Sequence, residues 1–166
     1  MDFRFSQEAE NWFSHLRDKP PFRVKFDLYY ICLMMGLAAG RKAEPAGAEF
    51  VDHFVDDYRS SQRLISGLLT VAELQNLGIN IKDKADVRRV VAELFDPNTP
   101  TGLSDEGMRN LNKYANGGFS VLSETREKPH HADEFLADYL NIIQNQIEEG
   151  EVWEIIEELE ENQTVN

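Results

Sequence analysis

The stretch FDLYYICLMMGLAAGRK, residues 26–42, is the most apolar part of the chain and decides the fold. Its apolar run is shorter than the ~18–20 residues that a membrane span needs, and Asp27 and Arg41 bound it. Apolar side chains recur on most sides of the helix that this stretch predicts, and such a helix packs on most sides. We therefore expect a central buried helix, in which Cys32 is a packing residue rather than a reactive thiol.

Glycines punctuate two of the apolar segments. Gly36 and Gly40 lie four residues apart, which leaves a groove for another backbone, although Gly40 could instead end the helix. Gly117 and Gly118 interrupt a second helical pattern that continues after them. Each glycine in a helix costs roughly 1 kcal/mol relative to alanine. The pair therefore marks either a helix end or a tight crossing, and we expect a crossing with the central helix.

The rest of the chain predicts further helices joined by short loops. Ser6 and Ser104 are typical N-cap residues, and Asp83 or Lys84 begins another helix. Strand signals are weak throughout. Apolar residues at helical spacing predict helices within residues 6–16, 50–58, 61–77, 83–95, 104–122, 131–146 and 151–161. The predicted fold class is all-α, a compact bundle of about seven or eight helices around the central helix.

Charge is distributed unevenly along the 166 residues. The net charge is −13, and residues 129–166 contribute −11 of it because they hold eleven acidic residues and no lysine or arginine. The remaining 128 residues carry only −2. We therefore predict a helical domain over residues 1–146 and an acidic amphipathic helix and tail over residues 147–166. The N-terminal sequence MDFRFSQEAE lacks a signal-peptide pattern, so a cytoplasmic protein is expected.

The acidic helix is the main candidate site. The helix has three possible uses. Its apolar stripe could dock on the protein's own core or insert into a groove of a basic partner, or its charges could imitate those of a nucleic-acid backbone. The stripe favours protein docking over mimicry, because a mimic needs exposed charge and no insertion. The predicted partner-binding residues are Trp153, Glu154, Glu157, Glu158, Leu159 and Glu161.

Other titratable residues give weaker signals. The pairs His130–Glu134 and His53–Asp57 are each four residues apart, but two ligands are too few for a metal site. The basic cluster within residues 82–89 is interleaved with acidic residues and would neutralise few phosphates, so we interpret it as a salt-bridged surface. One cysteine excludes an internal disulfide. We predict no catalytic residues, no cofactor and no metal.

Two segments resemble a known family. Residues 21–45, PFRVKFDLYYICLMMGLAAGRKAEP, and residues 111–122, LNKYANGGFSVL, are similar in order and spacing to segments of small proteins associated with DNA phosphorothioation (Dnd) systems. The Tyr114–Gly118 motif is the most specific part. The resemblance implies a small helical accessory protein of bacterial systems that mark DNA with sulfur and restrict invading DNA. Related phage-defence operons with other chemistry fit equally well.

The expected function is therefore that of a non-enzymatic interaction protein. It would bind a larger protein component of a bacterial DNA-modification or restriction system, and any contact with nucleic acid would be indirect. The alternative is an acidic DNA mimic that inhibits a nuclease or restriction enzyme.

Overall fold

A computed structural model describes residues 1–150 and the helix that spans residues 152–164, with side chains of that last helix described from residue 157 onward. Seven α-helices and a two-stranded antiparallel sheet make up the regular structure of these residues. The strands are β1 (Phe3–Phe5) and β2 (Ala48–Val51). The helices are α1 (Gln7–Trp12), α2 (Lys25–Ala39), α3 (Gln62–Asn76), α4 (Lys84–Leu94), α5 (Asp105–Thr125), α6 (Ala132–Glu149) and α7 (Val152–Thr164), and a 3-10 helix spans Asp56–Ser61.

The prediction is confirmed in its coarser form, because the described residues are largely helical. The small β1–β2 sheet means that the fold is not purely all-α. The prediction of an α-helix over residues 50–58 is wrong. Its first two residues belong to β2, and a 3-10 helix begins only at Asp56. Aromatic packing accounts for this difference, since the Phe50 and Phe54 rings lie 6.4 and 5.1 Å from the ring of Phe3 in β1. Long-range contacts have overridden a helical pattern here.

Helix α2 packs against α3, α5 and α6, and most of its apolar side chains are buried. The Asp27 carboxylate accepts hydrogen bonds from the amides of Arg23 and Val24, both at 2.8 Å, and so caps the start of the helix. Gly40 ends it in the left-handed conformation, with φ of 62°. Gly40 is thus the helix stop, which was one of its two predicted roles. No helix in the described part of the chain is long and apolar enough to cross a membrane.

The tight crossing predicted for Gly117 and Gly118 is confirmed. A Cβ at Gly118 would overlap the carbonyl oxygen of Cys32 and lie 2.6 Å from the amide nitrogen of Gly36. A Cβ at Gly36 would in turn lie 2.9 Å from the amide nitrogen of Gly118. Helices α2 and α5 therefore meet backbone to backbone. Gly36, rather than Gly40, provides the groove for this close approach.

The first residues of the chain are held by α5. Asn112 donates a hydrogen bond to the carbonyl oxygen of Asp2 at 3.0 Å and accepts one from the amide of Arg4 at 3.0 Å. The same amide oxygen accepts a bond from the buried Tyr29 hydroxyl at 2.9 Å. One buried side chain thus joins β1, α2 and α5, and Phe3 is fully buried beside it.

Candidate functional site

The predicted partner-binding residues lie on α7, which contacts α3 and the end of α6. Glu157, Glu158 and Glu161 are exposed, and Leu159 is 37% exposed. Trp153 and Glu154 belong to the helix, but their side chains lie outside the described residues. The described part of α7 therefore presents glutamates around an accessible leucine, and its assignment as a partner-binding surface remains a prediction.

A partly buried polar network lies where α3 and α5 meet the chain after α2. We call Lys42, Glu73, Asn76, Asn110 and Tyr114 the Glu73 network. The Tyr114 hydroxyl donates to the Glu73 carboxylate at 2.8 Å, and the Asn76 amide donates to that hydroxyl at 2.5 Å. The Lys42 ammonium forms an ion pair with Glu73 and donates to Asn110 at 2.9 Å. No local sequence pattern marks this network, because Lys42, Glu73 and Tyr114 are far apart in the chain.

The Glu73 network also explains part of the Tyr114–Gly118 motif. Tyr114 is fully buried, and burial together with the Glu73 charge raises the pKa of its hydroxyl. The hydroxyl therefore stays protonated and acts as a donor. Lys42 lies 5.2 Å from the centre of the Tyr114 ring, a cation–π distance. Asn116 donates to the carbonyl oxygen of Glu44 at 2.6 Å. In this chain the motif ties α5 to α2 and to the segment that follows α2.

The structure shows the surroundings of Cys32 and of His53, two residues considered as reactive groups in the sequence. Cys32 is fully buried, and burial raises the pKa of its thiol, so the thiol is neutral and packed as predicted. His53 lies 2.6 Å from Asp52 rather than beside Asp57, and this contact lowers the pKa of Asp52. Among the described residues, no group of three histidines, cysteines or carboxylates is arranged to hold a metal ion.

His15, which carries no signal in the sequence, lies in a basic cluster. Its ring centre is 4.6 Å from that of His130, and Lys19 and Lys128 are close enough to repel its protonated form. Loss of hydration and then repulsion from His130, Lys128 and Lys19 lower the pKa of His15. The cluster joins two loops that follow the same pattern of acidic residue, lysine and proline, residues 18–20 and 127–129.

We expect the pKa of His15 to be below the ordinary value of ~6.5 when it is followed by NMR. The unfolded chain then binds this proton at a higher pH than the folded chain does, so the free energy of unfolding should decrease as the pH falls through 6.5. Lys128→Met should raise the pKa of His15 because it removes one repulsive charge. A His15 pKa above 6.5, or one that Lys128→Met leaves unchanged, would contradict the prediction that repulsion from Lys128 lowers the pKa of His15.

A cleft lies between the 3-10 helix, the first turns of α3 and the loop that follows α4. It consists of two neighbouring cavities of about 430 and 340 Å³, and Arg59 and Gln62 line both. We call it the arginine cleft. The larger cavity is also lined by Arg63, Ser66, Phe95, Thr101 and Gly102, and the smaller one by His53, Phe54 and Pro100. Sequence reasoning did not identify this site.

Hydrogen bonds hold the walls of the arginine cleft in place. The Gln62 side-chain amide donates to the carbonyl oxygen of Thr101 at 2.7 Å and so ties α3 to the loop. Within the loop, the Thr99 hydroxyl lies 3.0 and 2.8 Å from the carbonyl oxygens of Asp96 and Leu103. The cleft is therefore a preformed feature of the fold.

Comparisons with known proteins identify no relative. No family model, no curated protein and no solved structure matches this chain.

Proposed function

We propose that this chain is a non-enzymatic interaction protein that binds a larger protein component of a bacterial DNA-modification or restriction system in the cytoplasm. The observation that carries the proposal is the exposure of the described part of α7. There Leu159 is accessible among exposed glutamates at positions 157, 158, 160 and 161. An apolar side chain within an acidic helix suits a groove that is apolar at its centre and basic at its rim. The sequence adds Trp153 and Glu154 to the same surface.

The charge distribution supports this choice of surface. Residues 129–166 carry −11 of the net −13, so the field of the protein is strongest around its C-terminal part. A concentrated field of one sign raises the rate of encounter with a basic partner. The phosphorothioation or other defence context comes from the resemblance of residues 21–45 and 111–122 to the Dnd-associated family.

The test is co-purification of the full chain with each of the larger proteins encoded in the same operon. Replacing Glu157, Glu158 and Glu161 together with glutamine should weaken capture by roughly tenfold or more, because three charge-assisted contacts are lost. The matched control replaces Glu8, Glu127 and Glu134, which are also exposed, and should leave capture unchanged. Equal capture by both triple variants, or no capture of any operon protein, would refute the proposal.

One observation favours a second function, that of an acidic DNA mimic that inhibits a nuclease or restriction enzyme. In the part of the chain that the structure describes, no lysine or arginine pairs with the exposed Glu158, Glu160 or Glu161. A mimic would compete with DNA for its enzyme, and rising salt would weaken the competition. Inhibition that survives neutralisation of these glutamates would eliminate this function.

A further inference from the structure

Two arginines and no carboxylate are among the described residues that line the arginine cleft. Arg59 and Arg63 are one helical turn apart and both line the 430 Å³ cavity. Arg63 forms no ion pair with any residue that the structure describes. Arg59 pairs with Asp56 at 3.0 Å, but both side chains are more than two-thirds exposed. Such an exposed pair is weak and can exchange for a ligand.

The donors around the larger cavity suit a phosphate group. Each guanidinium offers a planar fork of N–H donors that matches phosphate oxygens. Arg63 supplies one positive charge, and Arg59 supplies a second when it exchanges Asp56 for the phosphate. Thr101 is 3% exposed, and its hydroxyl oxygen accepts a bond from the amide of Leu103 at 3.3 Å. The Thr101 and Ser66 hydroxyls add donors to those of the arginines.

The smaller cavity has a different character. Pro100 provides exposed apolar surface, and only an edge of Phe54, which is 3% exposed, reaches the wall. His53 is held beside Asp52. Because the two cavities share Arg59 and Gln62, a ligand can place an anionic group in one and an organic group in the other. Their volumes fall within the range of ~300–1,000 Å³ that is typical of small-molecule sites.

We propose that the arginine cleft binds a small phosphate monoester, with the phosphate between Arg59 and Arg63 and the organic part against Pro100. A mononucleotide has the required chemistry and size. No described residue of α7 is among those that line the arginine cleft. Phosphate binding is therefore independent of whether α7 binds a protein.

The test is isothermal titration calorimetry of the full chain with AMP, inorganic phosphate and adenosine at low ionic strength. We expect AMP to bind more tightly than inorganic phosphate and adenosine to give no signal. Arg59→Gln and Arg63→Gln should each weaken AMP binding by roughly tenfold or more, the effect of losing a charge-assisted contact. Arg88→Gln is the matched control, because Arg88 is exposed on α4 and does not line the cleft.

Thermal melting of each variant separates loss of binding from loss of folding. AMP binding that is unchanged in a folded Arg63→Gln variant would overturn the proposal. So would equal binding of AMP and adenosine, binding of inorganic phosphate without AMP, or no binding of any of the three at millimolar concentration.

Discussion

Replacing Gly118 with alanine is expected to lower the free energy of unfolding by about 3 kcal/mol or more, enough to unfold a marginally stable domain. The added methyl group would meet the carbonyl oxygen of Cys32 and the amide of Gly36, both backbone atoms of α2. A side chain could rotate away from a new methyl group, but a helix backbone cannot. Helices α2 and α5 would have to separate along their whole contact. Urea denaturation followed by circular dichroism measures the change.

Gly67 in α3 provides the control for this prediction. It is exposed, and an added Cβ would have no heavy atom within 4 Å. Gly67→Ala should therefore raise the free energy of unfolding by roughly 0.5–1 kcal/mol, because alanine restricts the unfolded chain and favours the helix. If Gly118→Ala and Gly67→Ala had similar effects, the close crossing would be refuted.

The second large effect is expected in the Glu73 network. Glu73→Leu leaves the Lys42 ammonium without its carboxylate and the Tyr114 hydroxyl without its acceptor. Removing one partner of a buried ion pair typically costs ~3–5 kcal/mol. The Lys42 side chain is 28% exposed, so water compensates for part of the loss and we expect about 2–3 kcal/mol. The measurement is again denaturant unfolding.

A double variant makes this prediction specific. Lys42→Met combined with Glu73→Leu removes both charges, and an apolar pair of similar volume often replaces a buried ion pair with little loss. We therefore expect the double variant to be more stable than Glu73→Leu alone. Additive losses from the two single changes would show that Lys42 and Glu73 act independently.

The sequence indicated the features that depend on neighbouring residues. The side chains of Ser6 and Ser104 cap α1 and α5, as their position before an acidic first turn predicts. Asp83 likewise caps α4. The Gly117–Gly118 crossing was also predictable, because adjacent glycines inside a helical pattern need a packing reason.

Features that depend on distant partners were not predictable in the same way. Strand β1 has only three residues, and its pairing with β2 joins positions more than forty residues apart, so no local pattern marks it. The arginine cleft combines Arg59 of the 3-10 helix and Arg63 of α3 with Thr101, which comes from the loop after α4. A single sequence predicts the helix that carries Arg63 and the loop that carries Thr101. It does not predict that the two face each other.

The bonds that Asn112 makes to Asp2 and Arg4 affect how the protein can fold during synthesis. Strand β1 leaves the ribosome well before its partners, because β2 follows more than forty residues later and Asn112 more than a hundred residues later. Until then, Phe3 and Phe5 have no complete site to occupy. Strand β1 therefore reaches its final place long after it is translated, and the nascent chain must keep these two phenylalanines from aggregating while it grows.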